Sequence, residues 1–97
     1  MLYPVCLTHD ADGHVKLTAP DFDKLSARDA DRQRALTRVH LKMEGVASQL
    51  LLDGAPLPTP SSVEDILNDD AWAGSEVLII DINPVHLAAV ARHQAGR

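Results

Sequence analysis

Between Leu51 and Ile66 the chain reads LLDGAPLPTPSSVEDI, and the prolines at 56, 58 and 60 constrain everything around them. Proline has no amide hydrogen, collides with the preceding helical turn and drives the residue before it toward extended backbone. No helix or internal strand can therefore run through this stretch, which stays near extended geometry. Regular structure must stop on one side of a stiff, surface-running link and start again at a fixed distance on the other.

On the N-terminal side of the link the apolar period is that of a helix. Leu36, Val39, Met43, Val46 or Ala47, and Leu50 recur every three or four residues, while Arg34, Arg38, Lys42 and Gln49 occupy the opposite side. Asp29 or Asp31 can cap its start, and Asp53-Gly54 supplies its stop. This is expected to be the longest helix.

Further upstream the period is two. Tyr3, Val5 and Leu7 alternate along one strand, Val15 and Leu17 along a second, and Asp12-Gly13 between them is a favoured turn pair. Pro20-Asp21 ends that pairing. Leu25 and Ala27 alternate with Ser26 and Arg28, which permits a short third strand.

Beyond the prolines, Ser61 and Glu64 have the spacing of a capping box, predicting a short second helix that ends near Asp70. Trp72 and Gly74 fall in the turn that follows. The run Val77-Leu78-Ile79-Ile80 within EVLIIDI predicts a strand buried on both faces and hence central. Asn83-Pro84 breaks it, and the remaining segment has the pattern of one more short amphipathic helix, through Val85 or Leu87, Ala88, and Val90 or Ala91.

Length and composition limit what such a chain can do. The 97 residues make one domain. The aromatics are only Tyr3, Phe22 and Trp72, so the core must come from aliphatic residues. No apolar run approaches the roughly 20 residues of a membrane span, and the N-terminal residues lack the pattern of a secretory signal, so a cytoplasmic protein is expected. The lone Cys6 has no internal disulfide partner and sits in an apolar run, as a small core residue does. The formal charge of −5 argues against a non-specific grip on nucleic acid and suits a basic partner.

Candidate chemistry is sparse. Asp10, Asp12, Asp21 and Asp81 are the acids a two-metal nuclease would draw on. Turn chemistry accounts for the first three, and Asp81 stands where its strand emerges into solvent. His9 and His14 flank the hairpin turn, where facing each other across it they make at best a two-ligand site, short of the four protein ligands of a structural zinc. His40, His86 and His93 read as boundary or surface residues. Arg28, Arg32, Arg34, Arg38 and Lys42 are diluted by Asp29, Asp31 and Glu44 and have no interleaved aromatic, which describes a solvated helix face better than an RNA-binding one. No phosphate loop or nucleophilic triad occurs. An enzyme is not expected, nor is a cofactor or a metal.

Certain words in this order do resemble a known family. Tyr3-Pro4 opens the first strand, Asp10-Ala11-Asp12-Gly13 makes the hairpin, and Pro20-Asp21-Phe22 closes the second strand. Asp53-Gly54-Ala55-Pro56-Leu57-Pro58 with Pro60-Ser61-Ser62 follows the long helix, and Val77 to Ile82 forms the last strand. Over residues 2–84 the chain resembles the N-terminal domain of HicB family antitoxins, with residues 85–97 left as a tail. The resemblance implies a partial RNase H-like, α/β (α+β) fold, in which a small, mainly antiparallel sheet of three or four strands has helices packed on one face. It implies an antitoxin that binds a HicA-type, mRNA-cleaving toxin and neutralises it by occlusion. The chain departs from the family between Asp23 and Ala30, where a Gly-Cys pair and a Gly-Asp-Thr helix entry are common. Only thirteen residues follow Pro84, too few for the helix-turn-helix that many members carry, which puts operator DNA binding in doubt. On this reading Phe22, Trp72, Asp10 and Asp12 are the expected partner-binding residues. Val85, Leu87 and Val90 in the tail, or alternatively an edge strand, are the expected contacts of a homodimer or higher homo-oligomer. A stand-alone scaffold or regulatory ligand-binding protein of the same fold, or a metal-dependent nuclease, are the alternatives.

Overall fold

The structure is a computed structural model that describes residues 1–83; the expected tail contacts Val85, Leu87 and Val90 lie outside the described residues. Strands β1 (Leu2–His9) and β2 (Val15–Ala19) form the expected hairpin, with Leu7 opposite Leu17 and His9 opposite Val15. Its turn is built by Asp10. The Asp10 carboxylate accepts the amides of Asp12 and His14, both at 3.0 Å, and Gly13 takes the positive φ of 79° that closes the loop.

A 3-10 turn at Pro20–Phe22 leads to β3 (Leu25–Asp29), the expected third strand, antiparallel to β2. The reversal between them uses left-handed backbone at Asp23 and Lys24, with φ of 54° and 59°. The last strand, β4 (Glu76–Asp81), returns to pair antiparallel with β1, giving the order β3-β2-β1-β4.

Helix α1 (Arg32–Leu52) is the long helix, capped by Asp31, whose carboxylate accepts the Gln33 amide at 3.1 Å. Its stop is as expected: the Ala55 amide reaches back to Leu50 O at 2.8 Å over a left-handed Gly54. The buried stripe is Ala35, Val39, Met43 and Ala47, spaced by four; Leu36 is half-buried and Val46 is exposed. Small Ala35 and Ala47 at the ends let the helix lie close on β2 and β3, and the larger Val39 and Met43 fill the centre. Below them Tyr3, Val5, Leu7, Val15, Leu17, Ala19 and Ala27 complete one core.

The proline link leaves α1 and is clipped twice at the end of the sheet where β1 begins. Tyr3 Oη donates to Pro58 O at 2.7 Å, and Ser61 donates its amide and its hydroxyl to Asp21, at 2.8 and 2.5 Å. Helix α2 (Val63–Leu67) starts at Ser62, which caps the Asp65 amide at 3.1 Å. The cap thus falls one residue later than the Ser61–Glu64 spacing indicates, because Asp21 has already claimed Ser61. The helix also ends at Leu67, short of Asp70, and a separate 3-10 turn occupies Asp70–Trp72.

The fold class is as expected, an α+β domain with a four-stranded antiparallel sheet, but two details differ. The second helix does not share the α1 face. Ile66, its buried residue, stands outside the α1-side core, and Asp69 just after it brings its charge to Cys6, which points to the opposite face. Pinned at the sheet end, the link turns there and crosses to the other side. Nor is β4 central: it is an edge strand, with Ile79 47% exposed. An unbroken apolar run reports that both faces meet something apolar, and on this strand the second face is covered only in part.

Candidate partner-binding surface

The second face of the sheet is partly covered. Pro4, Cys6 and Thr18 are buried there, whereas Leu2 is 60% and Ile79 47% exposed, and they are diagonal neighbours across β1 and β4. Beside them, α2 exposes Val63 and, at 59%, Leu67. Trp72 is half-buried at the end of this segment. Exposed apolar side chains thus line this sheet edge and the short helix beside it.

Charge is distributed unevenly. From Met43 to Ala91 the sequence has no lysine or arginine and eight carboxylates, at positions 44, 53, 64, 65, 69, 70, 76 and 81. Four of these lie on the α2 segment. Glu64, Asp65, Asp69 and Asp70 are exposed, and none meets a basic side chain among the described residues. Most of the described basic residues, by contrast, are engaged on the other half. Arg28 holds Asp10 and Asp12, Arg32 holds Glu76, Arg38 holds Asp29 at 3.3 Å, and the Lys42 ammonium donates to Ser26 O at 2.8 Å. The surface is therefore acidic around α2 and compensated along α1.

The expected site residues fall in different places. Phe22 is 5% exposed, its ring edge-on to Tyr3 with centroids 4.8 Å apart, so it belongs to the core and offers a partner no surface. Trp72 lies on the α2 side. Asp10 and Asp12 stand at the hairpin tip, where Arg28 donates to both. That hydrogen bond, more than the backbone amides of His14 and Asp12, holds the Asp10 carboxyl below the usual carboxylate range.

The four acids considered for a nuclease are not brought together. Asp10 and Asp12 are at one end of the sheet. At the other, Asp21 is tied to Ser61, and Asp81 lies 3.2 Å from the N-terminal ammonium. Asp10, Asp12 and His14 do place one donor atom each within 4.8 Å of one another, yet the Arg28 guanidinium already occupies the negative side of that group. The histidines flanking the turn do not face each other directly, since Val15 is the residue opposite His9.

Cys6 is fully buried, and burial, with a smaller contribution from Asp69, raises its thiol pKa. A thiol held protonated in a closed site is a packing residue. Tyr3 is raised likewise by burial, then by Asp21, which suits a phenol whose proton is committed to Pro58 O. No described helix is long and apolar enough to cross a membrane. The acidic α2 surface has no sequence motif of its own; the signal that could have located it is the lack of lysine and arginine between positions 43 and 91.

A four-stranded antiparallel sheet in the order 3-2-1-4, with a long helix after the third strand packed on one face, is the fold of the N-terminal domain of an antitoxin. No family model matches the chain, and no curated protein matches it. Among solved structures, the N-terminal domain of the Burkholderia pseudomallei antitoxin HicB superposes with a TM-score of 0.79 at 19% identity, covering 86% of this chain and 99% of that one. The longer structure of Burkholderia pseudomallei antitoxin HicB gives 0.73 at 18% identity, with coverage of 100% and 86%. The resemblance expected from the ordered sequence words is thus met by the fold.

Proposed function

We propose that this chain is a HicB-like antitoxin that binds a small, basic, mRNA-cleaving toxin of the HicA type and neutralises it by covering its active surface. The observation that carries the reading is the match of 86% of this chain to 99% of the HicB N-terminal domain. The charge distribution supports it. A toxin that grips RNA presents a cationic surface, and four carboxylates on and just after α2, none held by a basic side chain among the described residues, speed its capture. Exposed Val63, Leu67, Leu2 and Ile79, with Trp72 beside them, supply the apolar contact that must hold it once captured. Asp10 and Asp12, already neutralised by Arg28, are secondary contacts on this reading. Occlusion needs a surface of roughly 800 Å² per partner and no chemistry on this chain. Such a role places the protein in the cytoplasm, where the toxin meets mRNA.

The test is co-expression. A HicA-type toxin encoded beside this chain arrests growth alone, and growth returns when this chain is supplied together with it. Co-purification of the two shows direct binding. The double substitution Glu64→Gln with Asp70→Asn slows association about tenfold at low salt and leaves fold and dissociation largely unchanged. Growth arrest that persists with well-folded antitoxin present refutes the proposal.

A further inference from the structure

The hydrogen bonds at the end of β4 fix which of its backbone groups face outward. Met1 and Ile82 exchange both main-chain bonds, each at 2.8 Å. In an antiparallel ladder such pairs alternate with unbonded ones, so on the printed register Tyr3–Ile80, Val5–Leu78 and Leu7–Glu76 are the bonded pairs. The amide and carbonyl groups of Val77, Ile79 and Asp81 therefore point away from β1, toward an edge that no described strand occupies.

That edge has few of the usual guards, its only charged side chains being Glu76 and Asp81 at its two ends. It carries no lysine, no proline and no bulge between Glu76 and Asp81. The β3 edge differs, with Arg28 and Asp29 in the strand and the Lys42 ammonium on the Ser26 carbonyl. The two carboxylates that flank β4 are neutralised within the chain, Glu76 by Arg32 and Asp81 by the N-terminal ammonium. An apolar four-residue run is left with open hydrogen-bonding groups.

We infer that β4 pairs with β4 of a second copy of this chain, antiparallel about a two-fold axis at Ile79, to join two sheets into one of eight strands. Parity selects the register. Only outward-facing residues can form bonded pairs, so odd positions must meet odd positions. The arrangement that uses all three sets Ile79 opposite Ile79 of the second copy and Val77 opposite its Asp81, twice over: three pairs of two bonds, six in all. In any allowed register an even position meets an even one, so Glu76 never faces Asp81 and no like charges are opposed across the Ile79 axis. Ile79, 47% exposed in the single chain, becomes the central contact, and both α1 helices lie on one side of the joined sheet. The inference is independent of any toxin partner.

Light scattering or sedimentation on the chain alone should give twice its 10.5 kDa mass. Ile79→Pro removes an outward amide without touching the bonds to β1, and should raise the dimer dissociation constant at least about tenfold with circular dichroism unchanged. Ile79→Cys should form a disulfide-linked dimer under mild oxidation, because opposed Cα atoms of a bonded pair lie about 5.5 Å apart. Val77→Cys should not, its two copies being offset by four residues, about 13 Å. A monomer at every concentration overturns the inference. So does a dimer indifferent to Ile79→Pro, or equal cross-linking from both cysteine positions. If Ile79→Pro fails to fold, the contrast between the two cysteine variants decides.

Discussion

Replacing Asp21 with alanine tests how the proline link is held. The carboxylate accepts two hydrogen bonds from one residue, the Ser61 amide at 2.8 Å and the Ser61 hydroxyl at 2.5 Å, in a part-buried setting. Hydrogen bonds to a charged group contribute about 1.5–3 kcal/mol in favourable settings. Here both go to one side chain that solvent still reaches, so about 2 kcal/mol for the pair is the working figure. For a domain of this size, 1 kcal/mol shifts the melting temperature by about 4–8 °C, so Asp21→Ala should melt roughly 8–16 °C lower. Ser61→Ala loses only the hydroxyl and should cost about 1 kcal/mol. The double variant should cost little more than Asp21→Ala alone, since the hydroxyl has no acceptor left, giving a coupling energy near 1 kcal/mol in urea titrations with constant m-value. Additive single effects, or an Asp21→Ala cost below about 0.5 kcal/mol, would refute the clip.

Two further outcomes follow from the geometry. Asp10 and Asp29 both titrate below the ordinary carboxylate range, Asp10 first through its bond from Arg28 and Asp29 first through the Asp31 amide and then Arg38. A lowered folded-state pKa stabilises above the unfolded value of about 3.9 and is lost as pH falls through the folded one. The urea midpoint should therefore drop below about pH 4, and Arg28→Gln should flatten that drop; an unchanged profile in the variant would refute the assignment. Met43→Ala, at a fully buried position in the middle of the α1 stripe, should cost about 2–5 kcal/mol without altering the β-sheet signal, whereas Leu41→Ala on the exposed side should cost under about 0.5 kcal/mol.

The elements that were legible in the sequence are those in which local chemistry and tertiary packing agree. Asp12-Gly13 forms the hairpin turn because nothing else competes for it, and the α1 stripe follows the 3.6-residue period. The helix cap lies one residue beyond the position that the Ser61–Glu64 spacing indicates because a side chain distant in sequence, Asp21, draws Ser61 away from the helix start. The entry to β3 had no signal at all, since Asp23 and Lys24 adopt left-handed backbone without a glycine to announce it. The edge position of β4 was hidden because an apolar run reports contact on its faces and is silent about its sides. Of the expected surface residues Phe22 went to the core, as aromatic chemistry favours burial and anchoring equally. The acidic character of α2 is a matter of which charges find partners, and that depends on the fold.

Stiff chain also changes the reference against which α2 is held. Prolines narrow the conformations open to the link before it folds, so little freedom is given up when two side-chain contacts fasten it. Residues on the outer side of α2 can then vary, through mutation or in the course of evolution, without loosening the attachment that sets where they stand. In such a scaffold the choice of whom to bind and the maintenance of shape are written in separate positions, and recognition can drift while the framework stays put.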